Sequence, residues 1–259
     1  MSSAVPSLPP TVVPGAEAHA ARPESDPVGA VLLCHGFTST PASMRPWADH
    51  LLDAGFEVSV PRLAGHGTTW QEMNRTTWQD WFAGVEAEFL RLADLHGRVN
   101  LAALSMGGSL TLLLAERYPE QVGRIALVNP SVGSTDPRMK LTGVLSRFIA
   151  SVDAIGDDIA KPGVSEGAYT RTPVRAVHSM TKLWRVVRAD LDKVTAPLLI
   201  FRSLVDHVVD PSSVETILGR VSSPTVSERL LHRSFHVATL DFEAEDIFAE
   251  STAFFLEQA

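Results

Sequence analysis

Residues 99–108, V-N-L-A-A-L-S-M-G-G, constrain this chain more than any other stretch. Six mostly apolar residues in a row predict a strand buried on both faces. The abrupt Ser-Met-Gly-Gly predicts a tight turn, and Leu110, Leu113 and Leu114 continue with helical spacing. Strand, sharp turn and helix together lift Ser105 to the C-terminal edge of a sheet. Its hydroxyl is then exposed, and the next backbone N–H is aimed at the same space, as a nucleophile elbow requires. Ala103 stands where the G-x-S-x-G pattern has its first glycine; it is small enough to let strand and helix approach, while Gly107 keeps an unhindered backbone. The competing reading is a serine that only caps a helix.

The flanking sequence repeats the alternation. An apolar strand over 29–34 ends in His35-Gly36-Phe37, and a helix follows with Met44, Trp47, Ala48, Leu51 and Leu52 on one face, stopped by Gly55. A second strand over 56–60 runs into a G-H-G loop, and Thr76 or Thr77 caps a helix whose stripe of Trp78, Trp81, Val85, Phe89 and Leu92 is expected to be core. Further strands are predicted over 124–129, 197–202 and 226–232, with helices near 211–219 and 241–257. Strands that are nearly all apolar and alternate with helices indicate an α/β fold, a mostly parallel sheet of about six to seven strands with helices on both faces. Residues 1–28, rich in Pro, Ala and Ser, are expected to be a tail or wrapped segment with at most one short edge strand near 16–20. Residues 29–259 are expected to form one domain, since 259 residues at 45% hydrophobic content supply one large core.

Between 131 and 195 the alternation breaks. Leu141, Val144, Leu145, Phe148, Ile149 and Val152 lie at helical spacing, Ile155 and Ile159 extend the face, and a loop leads to a second helix around Leu183, Trp184 and Val187. This insertion falls after one core strand and before the next, which puts it at the C-terminal edge above Ser105. Its roughly 60 residues exceed the dozen or so that a crossover needs, so a cap is expected over 131–195.

A serine hydroxyl attacks at neutral pH only with a base in reach and a carboxylate to orient that base. In the elbow-type chain order the acid comes next and the histidine last. Asp206, just past the 197–202 strand, fits the acid; its rival Asp210 precedes Pro211 at a helix start and reads as a cap. His236, between the last strand and the last helix, fits the base better than His232 at the strand end. The backbone N–H groups of Met106 and Phe37 are the natural donors for an oxyanion. His35 and His66 are expected to bond within their own loops. The His232/His236 spacing falls in a strand and loop with no acidic partner between them, so neither a metal nor another cofactor is expected.

Taken together, L-L-C-H-G-F-T-S-T-P, G-H-G, A-L-S-M-G-G, D-H-V-V-D-P and H-V-A-T-L-D make the chain after residue 28 resemble the α/β-hydrolase superfamily, and more narrowly the bacterial monoacylglycerol lipases and small carboxylesterases. The resemblance implies a Ser105–Asp206–His236 triad, an oxyanion hole from Phe37 and Met106, no cofactor, and a small acyl ester as substrate. A-I-G-D-D-I and S-E-G-A-Y-T-R-T-P resemble the lipase cap, which implies substrate contacts at Ile155 and Glu166, the latter at the glycerol head. A broad carboxylesterase and a non-catalytic binder on the same fold are the alternatives; a serine at 105 excludes the aspartate-nucleophile dehalogenases and epoxide hydrolases. A net charge of −8 without a Lys/Arg run argues against a nucleic-acid partner. No secretory leader pattern or membrane-length apolar run is apparent, and Cys34 is the only cysteine. A soluble, cytoplasmic protein is the expectation.

Overall fold

Apolar strands separated by amphipathic helices can bury both their faces only by lining up as one sheet between two helical layers. The computed structural model, which describes residues 11–154 and 156–257, does this. In chain order the elements are β1 (His19–Ala21), β2 (Gly29–Cys34), α1 (Arg45–Asp53), β3 (Phe56–Val60), α2 (Trp70–Met73), α3 (Trp78–His96), β4 (Val99–Leu104), α4 (Met106–Arg117), β5 (Val122–Val128), α5 (Thr142–Leu145), β6 (Ser151–Asp153), β7 (Arg171–Pro173), α6 (Val174–Asp190), β8 (Leu198–Ser203), α7 (Ser212–Leu218), β9 (Val226–Leu231) and α8 (Ala244–Leu256). Seven strands form a sheet in the order β1-β3-β2-β4-β5-β8-β9. All neighbours run parallel except β1, which pairs antiparallel with β3 at one edge.

Alternation along β4 sorts the core. Val99, Leu101 and Ala103 join the layer that holds Trp81, Phe89, Leu110 and Leu183. Ala102 and Leu104 face the opposite layer, with Trp47, Leu51 and Phe248. The tryptophan-bearing stripe of α3 is core as expected, and Thr77 with Asp80 forms its capping box. The predicted edge strand near 16–20 forms at His19–Ala21. The expectation for the tail extends over residues 1–10, which lie outside the described residues, as does Ile155.

Two expectations need correction. Strand β9 is not apolar: Ser227, Glu228 and Arg229 are exposed. It is an edge strand, and Arg202–Glu228 and Arg229–Glu250 pairs at 2.5 and 3.1 Å give that edge the charge that discourages further strand pairing. The long apolar helix expected from Leu141 is also absent. Helix stops after one turn in α5, where Gly143 and the back-bonding hydroxyls of Thr142 and Ser146 weaken it. The chain then turns into a two-stranded ribbon, β6 with β7. Of the apolar face, Phe148 is 82% exposed and Leu141 56%, whereas α6 buries Leu183, Trp184 and Val187 as predicted.

The packing of α4 buries even its last turn, where Glu116 has no hydrogen-bond partner for either carboxylate oxygen. Burial first, and then the nearby Asp190, push its carboxyl up to about 8. A carboxyl raised by folding contributes fully below its ordinary value near 4.5 and loses that contribution as pH climbs through about 8. Glu116→Gln is therefore expected to stabilise the fold at pH 9 by about 1–3 kcal/mol relative to wild type, with a much smaller difference at pH 5. Urea denaturation at the two pH values checks this; parallel pH dependences would show that Glu116 is not neutral in the fold.

Candidate active site

The sheet brings the C-terminal ends of β2, β4, β5, β8 and β9 to one rim, and the residues singled out above follow four of those strands. Ser105 is the first residue past β4, with φ 56° and ψ −122°. This positive φ is uncommon for a side-chain-bearing residue and is the mark of the elbow. The turn is possible because α4 passes very close to β2: a Cβ on Gly107 would lie 2.3 Å from the Cys34 carbonyl oxygen. Gly36 is less tightly constrained on the facing loop, where a Cβ would meet Ser105 Cβ at 3.3 Å. The backbone N–H of Met106 is the first of α4, and neither it nor that of Phe37 has a hydrogen-bond partner among the described residues.

His236 and Asp206 meet across 30 residues of sequence: Nδ1 lies 2.8 Å from Asp206 Oδ2, with His236 buried and Asp206 mostly so. Asp206 Oδ1 accepts the backbone N–H groups of Val208 and Val209, each at 2.8 Å. Burial opposes charge on the carboxyl, but His236 and those two N–H groups outweigh it and hold Asp206 below the usual carboxylate range. An ionised Asp206 needs a proton on Nδ1, which leaves Nε2 with a free lone pair. Burial likewise opposes charge on the ring, yet Asp206, Glu166 and Asp158 together hold His236 above its ordinary value. Asp210 accepts the Ser212 and Thr135 N–H groups at the start of α7 and is not the partner of His236.

Ser105 and His236 line one cavity of about 580 Å³. No hydrogen bond joins the serine hydroxyl to the ring among the described residues; the two face the same space. The inserted segment supplies the apolar walls, including Leu145, Val152, Val177, Met180 and Trp184, together with Glu166. The Glu166 carboxyl is raised by burial, against the opposing pull of the Ser39 hydroxyl and His236. Ile155, expected at the substrate, lies outside the described residues. Among the described residues no three His, Cys, Asp or Glu side chains are grouped as metal ligands.

Two cross-chain supports are not apparent from sequence. Asn129, at φ 44° just past β5, donates through Nδ2 to the His236 carbonyl at 2.8 Å and to Ser203 Oγ at 2.9 Å, while its Oδ1 accepts the Ser203 N–H. A polar residue at the end of an apolar strand is the only signal for it in the sequence. His35 bonds within its loop through Nδ1 to the Gly36 carbonyl, as expected, but its Nε2 also accepts the Leu63 N–H at 3.3 Å. Burial keeps this ring neutral, at about 4.

A serine on a sharp strand-to-helix turn and a buried histidine paired with a carboxylate line one cavity of this α/β protein. The chain belongs to the α/β-hydrolase fold family, whose model matches residues 29–164. It is 42% identical over 250 residues to a thermostable monoacylglycerol lipase of Bacillus sp. (strain H-257), covering 96% of this chain and 97% of that protein. It is 28% identical to a carboxylesterase of Bacillus subtilis (strain 168), covering 88% and 92%. Among solved structures, one from a study of two metagenome-derived lipolytic enzymes, LipS and LipT, superposes with a TM-score of 0.90 at 37% identity, covering 95% of this chain and 99% of that one.

The electrostatics can be read without a substrate. An NMR titration of the His236 ring is expected to give a midpoint above 6.5, with Asp206→Asn bringing it down, because burial then acts unopposed by that charge. Asp210→Asn should leave the midpoint in place; the reverse pattern would reassign the acid.

Proposed function

We propose that this chain is a serine hydrolase that cleaves carboxylic esters through an acyl-enzyme, acting on monoacylglycerols, with residues 131–195 as the cap over its site. The observation that carries the reading is the buried His236–Asp206 pair at the same cavity as the elbow serine. Ser105 Oγ attacks the ester carbonyl carbon while its proton passes to His236 Nε2. Asp206 holds Nδ1–H and supports the imidazolium that forms. The carbonyl oxygen, now negative, takes hydrogen bonds from the Met106 and Phe37 N–H groups. Collapse expels the alcohol, which takes the proton from His236, and a water molecule then repeats the sequence to release the fatty acid. The apolar cavity walls suit an acyl chain, and Glu166 near His236 suits a polar head. A cytoplasmic role in lipid breakdown belongs to the same proposal. Among the described residues no helix is long and apolar enough to cross a membrane.

Ser105→Ala and His236→Ala are each expected to lower kcat for an ester substrate by roughly 10⁴-fold or more with the fold intact. Turnover by Ser105→Ala close to wild type would end the serine mechanism. Substrate class is read separately at Glu166. A glycerol head offers hydroxyl donors, whereas a p-nitrophenyl ester has none, so Glu166→Gln should lower kcat/KM for a monoacylglycerol about tenfold and leave the p-nitrophenyl ester of the same acyl chain nearly unchanged. Equal kinetics of variant and wild type on both substrates would favour a broad carboxylesterase.

A further inference from the structure

One carboxylate outside the serine–histidine–aspartate group reaches both of the loops that carry its acid and its base. Asp158 belongs to the inserted segment and lines the cavity, with its side chain 10% exposed. Its Oδ2 accepts the backbone N–H of His236 at 3.2 Å and that of His207 at 3.1 Å. Its Oδ1 pairs with His207 Nδ1 at 2.7 Å, and its own carbonyl accepts the Val237 N–H at 3.0 Å. Because His207 directly follows Asp206, this single side chain fixes the backbone next to the acid and the backbone of the base itself.

The attachment is reciprocal. Asp241, at the far end of the base loop, accepts the N–H groups of Ala160 and Lys161 at 2.7 and 3.0 Å and that of Phe235 at 2.9 Å. The segment and the base loop are thus stitched together from both sides. A surface anchor would need no charge beside the ring, but Asp158 also faces His236 electrostatically.

We propose that Asp158 is a positioning residue for the triad: one carboxylate from the inserted segment holds the acid loop and the base loop in mutual register and keeps His236 in an anionic surround. The charged groups facing His236 are Asp206 from the loop after β8, and Glu166 and Asp158 from the inserted segment. Asp158 is itself faced by His207 from the acid loop. This role rests on His236 acting as the base of the proposed hydrolase.

The test uses Asp158→Asn, Asp158→Ala and His207→Ala in the full chain. For each, the His236 midpoint is read by NMR and kcat and KM are read against pH with p-nitrophenyl butyrate. Removing the charge is expected to lower the His236 midpoint, and with it the acid limb of kcat/KM, by about half a pH unit or more in both Asp158 variants. Loosened loops should lower kcat by about tenfold or more with KM within about twofold, the split expected when reacting groups rather than substrate contacts are displaced. His207→Ala removes the side-chain half of the tie to the acid loop, so kcat should fall with KM within about twofold. An unmoved midpoint in Asp158→Asn, or a retained kcat, overturns the proposal, even if the melting temperature falls. Should neither Asp158 variant fold, His207→Ala decides, and a retained kcat there overturns it. The NMR midpoints are read whether or not the chain hydrolyses esters, so persistent turnover in Ser105→Ala would defeat the functional reading without being mistaken for an answer about Asp158.

Discussion

Everything at the rim depends on how closely α4 passes the end of β2. The Cys34 carbonyl oxygen occupies the space that a Cβ at position 107 would need, and the Pro130 side chain crowds the same helix at Gly108, where a Cβ would come within 2.9 Å. With glycine at both positions the helix can begin immediately after β4, so Ser105 stands at the turn and the Met106 N–H emerges beside it. The small residues Ala102 and Ala103 continue that close packing into the strand. Gly36 completes it from the opposite loop by allowing its backbone to lie against Ser105. A bulkier side chain at any of these points would move the serine relative to the free N–H groups, and the site would lose its geometry before the fold lost its core.

The inserted segment is tied to this rim on two sides. On the base side, Asp158 and Asp241 join it to the His236 loop. On the other side, the Tyr169 hydroxyl donates to the Gly65 carbonyl at 2.7 Å and accepts the Thr68 N–H at 2.9 Å, which fastens it to the G-H-G loop. That loop in turn packs on the turn after β2 through the His66 ring, 5.1 Å from that of His35, and through the Leu63–His35 hydrogen bond. The walls of the cavity and the groups at its floor therefore share one polar framework. The apolar stretch from Leu141 to Val152 precedes both ties in the chain and is fastened by the Asn74 side chain, whose Nδ2 donates to the Ala150 carbonyl at 2.9 Å.

What was legible in the sequence was what local pattern controls. The strands before Ser105 and Asp206 announce themselves as apolar runs, and chain order then proposes an acid and a base. The sheet and its flanking helices follow from the same alternation. The inserted segment resisted because apolar residues at helical spacing are only one condition for a helix; Gly143 and the hydroxyls at 142 and 146 decided otherwise, and the apolar side chains remained on the surface. Asn129 and Asp158 resisted for a different reason. Their partners lie 107 and 78 positions away in the chain, so neither residue announces its role locally, and only the assembled rim gives it something to hold.

The left-handed backbone at Ser105 has a consequence for how this protein would respond to selection. A non-glycine residue held in such a region costs on the order of 1–3 kcal/mol, and glycine at 105 would relieve that strain while discarding the hydroxyl. Thermal robustness and chemistry therefore pull in opposite directions at this one position. A library ranked only by heat resistance would be drawn towards replacing the residue on which the proposed turnover depends, so improvement of the scaffold has to be scored by work done and not by survival.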